Sequence, residues 1–247
     1  MKGFVVRRTP YGESDLILQI LAQDNRFVSA FAPGARKSRR RFPHQFDLSA
    51  LYLWEFSRSP QPQRLTRVVR AEIQSWKPEI SARLESWARW SLVLEWIAHQ
   101  DEPTVKFDEL SELRDALCVE TTAVSFHRFF MRQMQWHGVF PDLKVCGRCG
   151  KAAASGRVDF VLALGGLSHS ECERGLLLST ITRKFLENGG AGDFSDSEQR
   201  HLSSELDLIS VPYLMMQLGR PLRAQAFFEQ LSAPNPSRER YQETQLS

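Results

Sequence analysis

Residues 47–56 read DLSALYLWEF. Leu48, Ala50, Tyr52, Trp54 and Phe56 occupy every second position, so an extended chain puts them on one face. Three of the five are aromatic, the composition of a strand with one buried side. The same reading extends in both directions. Upstream, Leu16, Leu18 and Ile20 alternate with Ile17, Gln19 and Leu21, and after the turn signal QDN (23–25) comes a further strand, RFVSAFA (26–32). Downstream, SPQPQ (59–63) punctuates the chain before RLTRVVRAEI (64–73), a fifth strand when the opening strand that carries Arg7 and Arg8 is counted. Five short strands with no helical period between them predict a small closed or partly closed barrel.

At Pro78 the period changes. Leu84, Trp87, Trp90, Leu94 and Ile97 are spaced by three and four, as are Leu110, Leu113 and Leu117. Residues 121–137, with Phe126, Phe130 and Met134, continue the helical pattern. Residues 140–178 lose it, and it returns in STITRKFLEN (179–188) and in 195–218, where Leu202, Leu206, Ile209 and Tyr213 share a face. Pro212 is expected to kink or interrupt that stretch. A last short helix, PLRAQAFFEQL, is expected to begin with Pro221 in its first turn. The fold class is therefore α+β multidomain: a barrel over 1–78, a helical domain over 79–232 carrying an insertion at about 140–178, and a flexible polar tail over 233–247.

Charge is unevenly distributed. Residues 1–80 hold 14 Lys+Arg against 7 Asp+Glu, whereas 81–247 hold 18 against 22, so a net charge of only +3 conceals a basic front half. Its densest stretch is GARKSRRRF (34–42), bracketed by Pro33 and Pro43. Such a run is either a solvated loop or a surface that meets a polyanion. No apolar run reaches membrane-span length, and the opening MKGFVVRRTPYGESD lacks the apolar h-region of a secretory leader, so a cytoplasmic protein without membrane contact is expected.

Of the four cysteines, Cys118 lies in a helical pattern and reads as a small buried hydrophobe. The other three fall in the non-helical insertion. CGRCG supplies Cys146-x2-Cys149, and nineteen residues later SHSEC supplies His169-x2-Cys172. Two pairs at this spacing let each loop wrap one side of a tetrahedral ion, and thiolate with imidazole suits Zn²⁺. Four protein ligands leave no position for a catalytic water, so the expected cofactor is one structural Zn²⁺. The competing readings are a redox Cys-x-x-Cys or four unrelated residues. A redox pair belongs at the start of a helix in a βαβ unit, and that context is missing.

Signs of catalysis are thin. Gly150-Lys151 lacks the upstream Gly and the following Ser or Thr of a phosphate loop, and neither His-Glu-x-x-His nor Gly-x-Ser-x-Gly occurs. Glu13 and Asp15 read as a solvent-facing pair at a strand edge. The sequence offers no active site, and a non-enzyme is expected.

The combination of a basic-looped barrel, a helical remainder and a four-ligand insertion resembles the bacterial recombination mediator RecO family. VVRRTPYGESDLILQILAQDNRFVSAFAPGARKSRRRF (5–42) is similar to that family's opening of strand, turn, two strands and basic loop. FHRFFMRQMQWHGVFPDLKVCGRCG (126–150) is similar to its helix leading into the zinc element, and GRPLRAQAFFEQL (219–231) to its closing helix. The departure is His169, where many zinc-bearing members have Cys; imidazole is a competent ligand there. The resemblance implies an OB-fold that binds single- and double-stranded DNA without sequence preference. It also implies a DNA repair and recombination mediator that anneals complementary strands and helps load recombinase onto DNA coated by single-strand-binding protein. Implied partners are RecR and the acidic, hydrophobic C-terminal tail of the single-strand-binding protein, in a nucleoid-associated setting.

On an OB barrel the inter-strand loops and one sheet face line the nucleic-acid groove. The expected DNA-binding residues are Arg36, Lys37, Arg39, Arg40 and Arg41 of the loop, with Arg7 and Arg8 of the first strand, and Arg64, Arg67 and Arg70 as extensions. For the partner tail the candidates are Arg128 and Arg132 beside Phe129, Phe130 and Met134, set against the favoured reading that Phe and Met at helical spacing are interior; Arg128 matches an arginine implicated in tail binding in the family. Two other classes stay open: an OB-fold protein acting on RNA or ribosomes, and a zinc-containing DNA-repair enzyme.

Overall fold

The computed structural model describes residues 1–38, 41–42, 46–57, 65–119, 123–138, 140, 142–153, 158–218 and 222–232. Arg39, Arg40 and Arg64, the turn Pro221 and the expected tail over 233–247 lie outside the described residues.

Five strands, β1 (Lys2–Tyr11), β2 (Asp15–Ala22), β3 (Phe27–Ala32), β4 (Leu51–Phe56) and β5 (Thr66–Ser75), close into a barrel of order β1-β2-β3-β5-β4. Among the described residues the one parallel pairing is β3 with β5, through Ala30 with Thr66 and Phe31 with Arg67. This is an OB-fold barrel. Leu16, Leu18 and Ile20 of β2, with Tyr52 and Trp54 of β4, fill its interior as the alternation requires. Phe42 and Phe46, from the long connection after β3, plug the same interior.

Strand β1 departs from simple alternation. Its register against β2 shifts between Val5 and Arg7, so Val6 is an extra residue. Val5 pairs with Ile20, Arg7 with Gln19, and Arg8 with the interior Leu18. The bulge therefore sends both Val6 and Arg7 outward and returns Arg8 to the inner side at the barrel mouth. Phe4, Val6 and Leu21 join the core of the helical region rather than that of the barrel.

The helical region comprises α1 (Pro78–Ala82), α2 (Leu84–Ala98), α3 (Phe107–Val119), α4 (Val124–Trp136), α5 (Thr180–Glu187), α6 (Asp196–Leu218) and α7 (Arg223–Ser232). Helix α2 is central and buried around most of its circumference, from Trp90 to Ile97, while Leu84 at its first turn is exposed, contrary to the expected stripe. The barrel docks on it: the Phe4 ring meets Trp90 and Phe107, and Trp90 Nε1 donates to the Leu48 carbonyl at 3.0 Å. Helix α6 runs unbroken through Pro212. Proline leaves the carbonyl of Leu208 without its helical donor, and Leu208 lies on the solvent side, where water can serve that oxygen. Cys118 is half-buried at the core margin, its thiol 3.5 Å from a Glu79 carboxylate oxygen.

The non-helical insertion is a small antiparallel sheet of β6 (Val158–Val161), β7 (Gly166–His169) and β8 (Leu176–Leu177), in the order β7-β6-β8. Phe160 and Leu167 pack with Phe185, Leu202, Leu206 and Ile209, so this sheet shares a core with α5 and α6. No helix among the described residues is long and apolar enough to cross a membrane.

Candidate nucleic-acid interface and metal centre

The first hairpin turn and the basic loop are bound together. Asp15 Oδ1 accepts from the Gly34 backbone N–H at 2.8 Å and from the Ser14 hydroxyl at 2.7 Å. The Arg36 N–H donates to the Ser14 carbonyl at 2.8 Å, its guanidinium donates to the Gly12 carbonyl at 3.3 Å, and Lys37 Nζ lies 3.5 Å from Glu13. The Gly34 amide holds the Asp15 carboxyl below the usual carboxylate range, with help from Ser14, Arg67 and Lys37. Asp15 is thus spent on the loop, and Glu13, Asp15 and the basic run form one structural unit.

Arg41 is committed differently. Its guanidinium donates to the carbonyls of Val68 and Val69, at 2.9 and 3.2 Å, and lies over the Phe42 ring. Pairing with β3 ends at Arg67, so Arg41 serves carbonyls on β5 just past the last partner residue.

Arg7 and Arg67 are both exposed on the outward face of the sheet, the first paired with Gln19 and the second with Phe31. Arg8 sits at the barrel mouth within electrostatic reach of the buried Tyr52 hydroxyl, whose pKa is pushed up by burial. Arg70 is on the outward face opposite Glu55 and is ion-paired with Glu72. Two aromatic residues that the sequence reading left aside join this end of the barrel. The exposed Tyr11 ring meets Phe31 edge-on at 5.9 Å. Period-two parity from Ile17 and Phe31 carries that signal, but the pairing of β1 with β2 is needed to place Tyr11 beside them.

The four metal-ligand candidates converge. Cys146 Sγ, Cys149 Sγ, Cys172 Sγ and a His169 ring nitrogen all lie within 4.8 Å of one another. The first knuckle is a tight turn in which Gly150 N–H returns to the Cys146 carbonyl at 2.9 Å, with Gly150 at φ +69°, a conformation that favours glycine. The second closes at the end of β7, where Cys172 N–H donates to the His169 carbonyl at 2.8 Å. His169 Nε2 lies 3.1 Å from the Ala152 carbonyl, which can only accept. Nε2 therefore carries the proton, and the Nδ1 lone pair faces Cys149 and Cys172 at 3.5 and 3.9 Å.

A tetrahedral ion with ordinary zinc bond lengths separates its sulfur and nitrogen ligands by about 3.6 Å. The donor set and its spacing fit such an ion, and this Cys3His cluster can bind a metal. Its electrostatics agree. The Cys149 backbone N–H leads the interactions that bring the buried Cys146 thiol down to about 5. Burial, then the crowding of Cys149 and Cys146, pushes Cys172 up to about 11. A dication would relieve that crowding and deprotonate all three thiols.

The expected tail site is rearranged. Phe129 and Phe130 are fully buried in the helical core and cannot anchor a peptide, because their face of α4 packs on α2 and Trp96. Met134 is partly buried against the same core. Arg128 donates to the Gly190 and Gly192 carbonyls at 2.7 and 2.8 Å, and Arg132 lies 3.8 Å from Glu112. Both arginines line an open groove of about 580 Å³ between α3, α4 and residues 189–193.

A cationic loop on an OB barrel, joined to a helical region with a candidate Cys3His metal centre, is an arrangement suited to a nucleic-acid-binding protein. The family model "Recombination protein O N terminal" matches residues 1–75. The chain is 30% identical over 178 residues to the DNA repair protein RecO of Syntrophus aciditrophicus (strain SB), covering 69% of this chain and 68% of that one. It is 26% identical over 246 residues to the DNA repair protein RecO of Anaeromyxobacter sp. (strain K), covering 94% and 96%. With that of Exiguobacterium sp. it shares 29% identity over 213 residues, 82% of each chain. The chain belongs to the RecO family of DNA repair proteins.

Proposed function

We propose that this protein is a non-catalytic mediator of DNA repair and homologous recombination. It binds single- and double-stranded DNA without sequence preference, anneals complementary strands, and helps load recombinase onto DNA coated by single-strand-binding protein. Family membership supports the class. The observation that carries the DNA-binding reading is the joining of the first hairpin turn to the basic loop through Asp15 and Gly34, which presents Arg36 and Lys37 at one end of an OB barrel. In this reading Arg7, Arg8, Arg36, Lys37, Arg39, Arg40 and Arg41 form the DNA surface, with Arg41 also holding the loop against β5.

Residues 1–78 supply DNA binding and 79–232 supply the scaffold and partner contacts. One zinc held by Cys146, Cys149, His169 and Cys172 fixes the insertion against α5 and α6; when bound it supplies structural cross-linking and no reaction step. The partners are RecR and the acidic tail of single-strand-binding protein, the latter at the groove beside Arg128 and Arg132, in the cytoplasm at the nucleoid.

The deciding experiment is annealing of complementary labelled oligonucleotides across a salt series, with and without single-strand-binding protein. Annealing that the protein accelerates on coated strands, and that weakens steeply with salt, is the expected result. Absence of acceleration, or binding to RNA in preference to DNA, would overturn the reading.

A further inference from the structure

The basic loop is not the whole of the exposed barrel end. The β1–β2–β3–β5 surface carries Arg7, Tyr11, Ile17, Gln19, Phe31 and Arg67 on its outward side, as fixed by the register of the strands. The helical region covers a different part of the barrel, through Phe4, Val6 and Leu21. Tyr11 is 57% exposed even though its ring touches Phe31.

Charge on this face matches a polyanion. Arg67 lies across from Phe31 and Arg7 lies farther along β1, while the carboxylates at this end are engaged, Asp15 by Gly34 and Ser14 and Glu13 by Lys37. Tyr11 also directly precedes Gly12, whose carbonyl receives Arg36, so the face runs into the basic loop without interruption.

We infer that Tyr11, backed by Phe31, is a base-stacking site that makes this face specific for single-stranded DNA, while the loop cations hold single strands and duplexes alike. The inference rests on the DNA-binding reading above and adds a division of labour within it. A duplex keeps its base faces stacked inside the helix and presents only phosphates and groove edges. A single strand can swing a base onto the exposed Tyr11 ring while its flanking phosphates meet Arg7 and Arg67. No covalent step is involved.

The test compares full-length wild type, Tyr11→Ala and Tyr11→Phe, binding a labelled oligothymidylate and a blunt mixed-sequence duplex of equal length. One stacked base contributes about 1–3 kcal/mol, so Tyr11→Ala is expected to weaken oligothymidylate binding about 5- to 150-fold. Duplex affinity should stay within about twofold, because phosphate contacts are untouched. Tyr11→Phe should restore single-strand binding, since stacking needs the ring and not the hydroxyl. Equal loss on both substrates, or no loss on either, overturns the stacking site while leaving the DNA-binding reading intact. Wild type that binds neither substrate overturns both. Melting temperature of each variant, expected unchanged for this exposed side chain, separates lost contact from lost fold.

Discussion

The Asp15 carboxylate reaches 2.8 Å to the backbone N–H of Gly34, across nineteen residues, and so makes the first hairpin turn and the basic loop a single body. A loop rich in like charges repels itself and disperses unless something pins its start. Here one carboxylate pins its start at the Gly34 amide, and Arg36, Lys37 and Arg41 add their own contacts to Gly12, Glu13 and the β5 carbonyls. The hairpin carboxylates Glu13 and Asp15, unremarkable in the sequence, are thus the loop's foundation.

Replacing Asp15 with Ala should lower the melting temperature at neutral pH and weaken DNA binding with no cation removed. The pH dependence has a definite sign. Folding depresses the Asp15 pKa below 3.8, so its contribution is present above that value and is lost as pH falls through the folded value. The gap in melting temperature between wild type and Asp15→Ala should therefore close as pH drops below 3.8. A gap independent of pH would mean that the carboxylate charge plays no part.

For the loop, Arg39→Ala with Arg40→Ala should weaken binding equally on unrelated DNA sequences. It should flatten the slope of log K against log salt by roughly 0.7–0.9 for each phosphate contact removed. Arg41→Ala should behave differently, because its guanidinium serves the Val68 and Val69 carbonyls. Losing those bonds should cost about 1 kcal/mol of stability. A salt slope that none of these changes moves would leave the run as a solvated loop.

The barrel was legible because its strands keep period two against one interior: Leu16, Leu18 and Ile20, and then Tyr52 and Trp54, all point where alternation puts them. The metal cluster was legible because x2 spacing fixes each knuckle locally. The faces of Arg7 and Arg8 were not, since the bulge at Val6 inserts a residue with no compositional mark and inverts the parity beyond it. Phe129 and Phe130 follow the interior reading that aromatics at helical spacing favour, since their face of α4 meets Trp96 rather than solvent. The second role of Arg41 depends on where β3 stops pairing with β5, a long-range fact that no local window contains.

His127 is fully buried on α4, with Nδ1 3.0 Å from the Ser210 hydroxyl and Nε2 3.2 Å from Asp207, which is also paired with Arg89 at 2.9 Å. This network ties α2, α4 and α6 together. Burial depresses the His127 pKa below 6.5, so the unfolded chain takes up its proton first and stability should fall as pH drops below 6.5. His127→Leu leaves the Ser210 hydroxyl without its His partner while Asp207 keeps Arg89, and should cost roughly 1–3 kcal/mol. It should also remove that part of the acid dependence, as chemical denaturation at several pH values would show. An unaltered pH profile would assign the acid sensitivity elsewhere.

Purified protein should carry about one zinc per chain, and Cys146→Ser or Cys172→Ser should lose it. Because Phe160 and Leu167 share a core with Phe185, Leu202 and Leu206, metal loss should lower the melting temperature of the helical part. DNA binding, if it resides in the barrel as proposed, should be little changed. Metal-free wild type that melts at the same temperature as the metal-bound protein would end the structural-zinc assignment.

The groove between α3, α4 and residues 189–193 is the site proposed for the partner tail. Arg128 and Arg132 lie one turn apart on α4, but they are held in different ways. Arg128 forks onto the Gly190 and Gly192 carbonyls and so fixes the turn that forms one wall of the groove. The close fit is visible at Gly190, whose φ is +81° and where an added Cβ would meet Arg128 Cγ at 2.9 Å. Arg132 is exposed, and among the described residues its ion pair is the 3.8 Å contact to Glu112, which it can exchange for a peptide carboxylate. Arg132→Ala should therefore weaken binding of an acidic, hydrophobic-ended peptide about fivefold, equivalent to about 1 kcal/mol, without altering the melting temperature. Arg128→Ala should weaken the peptide and also lower the melting temperature by releasing the glycine turn. Arg128→Lys should not rescue it, because an ammonium cannot reproduce the fork. DNA affinity should be unchanged in every variant. Wild-type peptide binding in both alanine variants would remove this groove as the tail site, and a parallel loss of DNA binding would show that the two surfaces are one.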